Sequence, residues 1–207
     1  MSTSGRVGIL ISGRGSNMVA LIEAMQRGEI AAETAIVISN RPDAGGLARA
    51  RALGVMTRVV DSGVVKPRKL HEQRVIELLR EQRVDLVCLA GYMRLLSAGM
   101  VAEFRQRILN IHPSLLPAFP GLDAQRQALD YGVRFTGCTV HFVDEACDHG
   151  PIVLQAAVPV EPDDDEARLS ARILEQEHRL YVRAVRLFFD QRLEIDGRRV
   201  TIAGGVS

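Results

Sequence analysis

No charge of one sign dominates this chain. Lys and Arg together number 26 against 25 Asp and Glu, a formal net charge of +1. A global field that would draw in nucleic acid or an anionic membrane is therefore absent. Cysteine is scarce. Cys88, Cys138 and Cys147 lie far apart, with no Cys-x-x-Cys pair and no even-numbered framework, which reads as reduced thiols in a cytosolic protein. No apolar run reaches membrane-spanning length, and the small, polar start from Met1 to Arg6 does not lead from a basic region into a long apolar stretch; a soluble, cytoplasmic protein is expected. There is no internal repeat, low-complexity tract or long linker, and no pair of histidines at metal-ligand spacing, so a zinc site is not expected. What remains is an ordinary globular composition, 47% hydrophobic and 25% charged over 207 residues, long enough for one domain with a sizeable core.

Short apolar runs alternate with helical patterns. Arg6–Ile11, Thr34–Ser39, Met56–Val60, Leu86–Ala90 and Ile108–Ile111 read as strands. Between them, Asn17–Arg27, Ala44–Leu53, Pro67–Gln82 and Ser97–Phe104 read as helices; Met18, Leu21, Ile22 and Met25 fall at helical spacing. Alternation of this kind with nearly continuous apolar strands predicts parallel pairing, with helices on both faces. The pattern then changes. Thr139–Val143 and Ile152–Val160 are joined by a connection too short for a helical crossover, so that pair should be antiparallel. A long helix is expected from about Asp165 to Arg192, then a hairpin around Asp196-Gly197. The expectation is a single domain over residues 1–207, an open α/β fold with a mostly parallel sheet and an antiparallel addition. Ligands bind such sheets at the carboxyl ends of the strands.

Ser12-Gly13-Arg14-Gly15-Ser16-Asn17-Met18 joins the first strand to the first helix. Glycines there let the backbone approach an anion, and the helix start supplies free N–H donors. Ser16 and Asn17 can add side-chain donors or cap the helix; the alternative is a tight turn with an ordinary cap. A dinucleotide fingerprint wants a third glycine where Met18 stands and an acidic residue near Asn40, and no Gly-Lys-Ser/Thr ending marks a triphosphate loop. A monophosphate site is the reading that remains.

Leu109-Asn110-Ile111-His112-Pro113-Ser114-Leu115-Leu116-Pro117 begins as a buried strand and turns polar at its end. Alternation puts Asn110 and His112 on one side, and Pro113 stops the strand there. An Asn amide can donate to a developing oxyanion, and a His can shuttle a proton near neutrality; the alternative is a hydrogen-bonded core pair. The turn from Val143 to Pro151 carries Asp144, Glu145 and Asp148. Asp148 stands out because Gly150-Pro151 constrains the chain behind it. His149 is expected to be exposed, and His141 to be structural or a partner of the site.

These motifs, together and in order, resemble the phosphoribosylglycinamide formyltransferase family within the wider superfamily that uses 10-formyltetrahydrofolate. The resemblance runs from about Arg6 to Arg192. It implies a formyltransferase fold with a Rossmann-like N-terminal half, and direct formyl transfer from 10-formyltetrahydrofolate, as co-substrate, to the amine of glycinamide ribonucleotide in de novo purine (IMP) biosynthesis. Carried over by motif, Asn110, His112 and Asp148 are the implied catalytic group. Gly15, Ser16 and Asn17, with Met18 and Val19, are implied to hold the substrate phosphate. Met93, Arg94, Leu95 and Leu96 would line the folate pocket with their main-chain groups facing the pterin, Asn110 would also touch the folate, and Val143, Asp144 and the rest of the loop to Asp148 would surround the pterin's other edge. Arg68 is implied to lie near the folate tail. The family implies no metal, no nucleic-acid or membrane partner, and either a monomer or a homodimer.

Glu177 is unusual on its own terms. Leu169, Ile173, Leu180, Ala184 and Leu187 form the apolar stripe of the long helix, and Glu177 falls on it. A carboxylate there is costly unless paired. The resemblance puts it at the ribose and glycinamide end of the substrate. Two rivals are weighed. A formyltetrahydrofolate deformylase would share the catalytic residues but usually carries an N-terminal regulatory domain, for which no room is expected before Arg6. A silent nucleotide-binding module has no use for Asn110, His112 and Asp148 together.

Overall fold

The computed structural model describes residues 5–205. The chain falls into two compact units, one up to Leu109 and one from Asn110 onward.

The first unit holds β1 (Gly5–Ile11), α1 (Ser16–Gln26), β2 (Ala32–Ser39), α2 (Gly45–Ala52), β3 (Thr57–Val59), α3 (Arg68–Glu81), β4 (Leu86–Leu89) and α4 (Ala98–Glu103). Each ends within two residues of its expected bounds. β1 pairs parallel with both β2 and β4, and β2 with β3, in the order β3-β2-β1-β4. A Cβ built on Gly8 would meet Leu79 and Val84, the end of α3 and the turn after it, whereas Gly46 of α2 lies against Ile11. Gly8 and Ile11 are an odd number of residues apart on one strand, so α3 and α2 cover opposite faces of the sheet. The core is the apolar filling of those layers: Val7, Ile9, Leu10, Ile11, Ile36, Val37, Ile38, Leu86 and Val87 are all buried. Between β1 and β4 the strand order reverses, and such a switch point leaves a crevice at the carboxyl ends.

β5 (Ile108–His112) carries the chain into the second unit, with α5 (Ala124–Tyr131), β6 (Phe135–Phe142), β7 (Ile152–Pro159), α6 (Glu166–Phe189), β8 (Leu193–Asp196) and β9 (Arg199–Ile202). The order is β5-β6-β7-β9-β8. β6 and β7 are antiparallel, as their short connection requires, and so are β8 and β9; β9 joins β7 in parallel at Ile152 and Arg199. α6 is capped by Asp165, whose side chain accepts from the Arg168 N–H. Its buried stripe includes Leu169, Ile173, Glu177, Leu180, Ala184 and Leu187.

Two expectations need correction. α5 was not foreseen: its buried residues are only Ala124 and Ala128, too small to signal helical periodicity. β6 begins at Phe135 rather than Thr139 and ends at Phe142 rather than Val143. Gly137 breaks the strand signal, yet a Cβ there would stand 1.9 Å from the Ala156 carbonyl oxygen; the strand needs the gap that weakens its pattern.

Candidate active site

In the first unit the loops after β1 and β4 are stitched together. Ser12 N–H donates to the Gly91 carbonyl at 3.1 Å, and the Met93 N–H donates to Ser12 Oγ at 2.8 Å. Ser12 Oγ in turn donates to Asn40 Oδ1 at 2.5 Å. Ser12 and Asn40 are both buried.

The glycine turn differs from expectation in one respect. Neither Ser16 nor Asn17 is the cap of α1; the cap is Gly15, at φ 67°, which has no side chain to bond the helix start. A left-handed residue is cheapest as glycine. Space asks for the same residue, since a Cβ on Gly15 would lie 3.2 Å from the Gly46 Cα. Ser16, Asn17 and Met18 follow in the first turn, where a helix leaves N–H groups that it cannot satisfy itself, and the Val19 N–H closes the turn onto the Gly15 carbonyl at 3.0 Å. With no side-chain cap, that end suits an anion.

After β4 the chain runs extended. Met93 and Leu95 are exposed, at 66% and 60%, while Arg94 and Leu96 are half-buried. Exposed apolar side chains in a row ask for a partner surface. α3 holds the C-terminal end of the segment: Arg68 Nη2 donates to the Leu95 carbonyl at 2.5 Å, and buried Glu72 accepts from the Ser97 N–H at 3.0 Å and from Arg68 Nε at 3.3 Å. The Met93 N–H and the Leu95 carbonyl already have partners within the protein. Arg68 does sit at this segment, and Glu72, which sequence reasoning missed, anchors it.

The second unit gathers its polar groups on one carboxylate. Asp148 Oδ2 accepts from the Gly121 N–H at 2.8 Å, lies 3.3 Å from His112 Nδ1, and takes the Cys147 thiol at 3.4 Å. Asp148 Oδ1 lies 3.4 Å from Asn110 Nδ2 and 3.7 Å from His141 Nε2. Asn110 and His112 thus point the same way, as alternation predicts. The His contacts are long, and the Gly121 N–H is the firmest donor; bonds of this kind commonly tighten only when substrate binds. His112 Nε2 donates to the Phe119 carbonyl at 2.9 Å, so both its ring nitrogens have protein partners here. His141 Nδ1 donates to the Phe142 carbonyl at 2.8 Å, which turns Nε2 toward Asn110 Nδ2 at 3.2 Å.

Burial alone would push the Asp148 carboxyl up. The His141 ring, the Gly121 N–H, the charge of His112 and the Cys147 thiol outweigh it and hold the group down at about 2. Asp148 is therefore an ionised acceptor throughout the physiological range.

Local structure explains why these residues meet. Asp148 is itself left-handed at φ 49°, a conformation Asp tolerates better than most residues. Gly150 lets the loop close behind it: a Cβ there would stand 1.8 Å from the Phe142 carbonyl oxygen, the same oxygen that orients His141. Thr139 Oγ1 donates to the Ser114 carbonyl and accepts from the Leu116 N–H, while Gln155 Nε2 donates to the Leu116 carbonyl. That scaffold fixes the turn after His112, where the Leu116–Pro117 bond is cis. Thr139, Gln155, Phe119 and Gly121 carried no signal of their own; the last two act through main-chain atoms, which no residue type advertises.

Asp144 folds back on its own turn, accepting from the Ala146 N–H at 3.0 Å and pairing with His149 at 2.9 Å, with half-buried Val143 before it. His149 is exposed, as expected. Glu177 is buried, and its charge adds to the burial that lifts the Cys138 thiol to about 12. Among the described residues no group of three or more His, Cys, Asp or Glu side chains could hold a metal ion, and no helix is long and apolar enough to cross a membrane.

Residues 5–185 match the model of the formyl transferase family, and the chain belongs to that family. It is 41% identical over 203 residues to the phosphoribosylglycinamide formyltransferase of Escherichia coli, covering 95% of this chain and 96% of that one. It is 50% identical over 182 residues to a trifunctional purine biosynthetic protein of Drosophila melanogaster, which covers 87% of this chain but only 14% of that much longer protein. A crystal structure of glycinamide ribonucleotide transformylase 1 from Symbiobacterium toebii superposes with a TM-score of 0.95 at 52% identity, over 98% of this chain and 95% of that one. A formyltetrahydrofolate deformylase from Pseudomonas syringae shares the fold at a TM-score of 0.89 but is 26% identical, and this chain covers 66% of it.

Proposed function

We propose that this protein transfers the formyl group of 10-formyltetrahydrofolate to the amine of 5′-phosphoribosylglycinamide in de novo purine biosynthesis. The observation that carries the reading is the convergence of Asn110, His112 and His141 on the ionised Asp148 in a formyl transferase chain. The neutral amine attacks the formyl carbon and gives a tetrahedral oxyanion. Asn110 Nδ2 and a ring N–H of His112 donate to that oxygen, exchanging their present protein acceptors for it. Asp148 relays the proton from the amine through water. Collapse breaks the bond to the folate nitrogen, which leaves with a proton. No step requires a metal or a covalent nucleophile.

In this reading the substrate phosphate lies on Gly15, Ser16 and Asn17, with Met18 and Val19 behind them, and Glu177 accepts from the ribose or glycinamide. The pterin lies along Met93, Arg94, Leu95 and Leu96, with Asn110, Val143 and Asp144 also in contact and Arg68 toward the folate tail. Residues 1–207 work as one formyltransferase domain, of which residues 1–4 and 206–207 lie outside the described residues. The protein is cytoplasmic and a monomer or homodimer, with small-molecule partners only.

Product analysis with 10-formyltetrahydrofolate tests the activity, run with and without glycinamide ribonucleotide. Formyl-glycinamide ribonucleotide should appear only when both are present. Formate released equally fast in both cases would make the protein a hydrolase instead.

A further inference from the structure

The loop that carries Asp148 is closed at its base by the Phe142 N–H donating to the Pro151 carbonyl at 2.9 Å. Inside, Asp144 ties Ala146 and His149 together. A third hold comes from outside, from the C-terminal hairpin. Arg198 Nη2 donates to the His149 carbonyl at 2.8 Å, and Arg198 Nη1 lies 2.9 Å from His149 Nε2. His149 Nδ1 also contacts Asp144 at 2.9 Å, and Arg198 Nη1 lies 3.1 Å from Nδ1 as well as 2.9 Å from Nε2, over the ring, so the His149 ring sits between a cation and an anion. β9 pairs with β7 at Ile152, directly after the loop. The hairpin lies beyond the family-matched residues.

We propose that Arg198 is a positioning residue for formyl transfer: by gripping His149, it fixes the peptide that follows Asp148 and so holds the Asp148 carboxylate against Asn110 and His112. The inference rests on the proposed activity. Asp148 is left-handed, and a non-glycine residue stays so only where its surroundings over-determine it. Gly121 and Cys147 hold its side chain; Arg198 holds the main chain just past it. Arg198 and His149 are both exposed, and exposed polar contacts contribute little to stability. Removing the grip therefore shows in geometry before it shows in melting temperature.

The experiment compares the full-length wild type, Arg198→Ala and Arg198→Lys in steady-state formyl transfer, with melting temperature and amide hydrogen exchange over residues 144–149. Small displacements of a reacting group are severe in rate, so Arg198→Ala should lose about tenfold in kcat. KM for glycinamide ribonucleotide and melting temperature should stay near wild type, and loop exchange should quicken. Arg198→Lys keeps a donor for the His149 carbonyl and should recover most of the rate. Wild-type kcat in Arg198→Ala overturns the proposal. So does a lowered melting temperature without a loss of kcat, which would make the hairpin a plain staple. If the wild type transfers no formyl group, the activity is wrong, and loop exchange alone decides: unchanged exchange in Arg198→Ala overturns the positioning role as well.

Discussion

The glycine turn before α1 and the loop around Asp148 are two ways of building a polar site. The first is made of main chain. Gly15 caps the helix without a side chain, at the kind of helix start that suits an anion. The second is made of side chains that share one carboxylate, with main-chain groups from Phe119 and Gly121 filling in. A main-chain site offers shape and dipole, fixed once the helix forms. A side-chain site offers groups that change charge and exchange partners, as proton transfer requires. The same fold thus supplies one place suited to holding and another suited to reacting.

The sharpest way to break this contrast is Asp148→Asn. It keeps shape and the Gly121 bond but removes the charge, so kcat should fall about 100- to 1000-fold, as when one electrostatic group of a reacting site is lost. Calorimetry should show both ligands still binding, and near-normal kcat would take Asp148 out of the mechanism.

Acid reads the same group through stability. The Asp148 carboxyl is depressed to about 2 in the fold, below its unfolded value near 3.9. Its contribution is therefore complete above about pH 4 and is lost as pH falls through about 2, amounting to about 2 kcal/mol. Urea denaturation from pH 5 to 2 should show that loss in the wild type and not in Asp148→Asn.

Glu177→Gln asks whether the buried carboxylate belongs with the holding side. Arg172 pairs through Nη1 and Nη2 with Asp164 at 2.7 Å. Affinity for glycinamide ribonucleotide should fall about tenfold, the value of one charge-assisted hydrogen bond. Folate affinity should hold, and the melting temperature should hold or rise. Unchanged substrate affinity would return Glu177 to a packing role.

The smallest effect is expected at Gly15→Ala. The left-handed backbone costs about 1 kcal/mol once a Cβ is present, and the new methyl group would press on Met18 and Gly46. A modest fall in melting temperature with weaker phosphate binding would mark the turn as a main-chain site; unaltered binding would make it a mere turn.

Most of the first unit was legible, because parallel strands buried on both faces write themselves as apolar runs and the intervening helices carry large residues at helical spacing. α5 was not, since alanine packs without announcing itself. At the candidate site, Asn110, His112 and Asp148 stood out as polar residues where a strand or turn should end. His141 showed only as a histidine inside a strand. Its orientation depends on the Phe142 carbonyl and on a register shift between Val140 and His141, which side-chain identity does not encode. Of the two roles open to Ser16 and Asn17, donating to an anion or capping the helix, the capping position is taken by Gly15.

Cys147 bears on the lifetime of the protein in an oxidising cell. It is exposed, as cysteines vulnerable to peroxide and electrophiles are. Burial of its sulfur and the neighbouring Asp148 charge push the thiol up, and its proton rests on that carboxylate. A thiol that stays protonated is a poor nucleophile. The carboxylate assigned to catalysis thus also keeps its neighbour unreactive, and chemical damage at this exposed sulfur is slowed for as long as Asp148 keeps its charge.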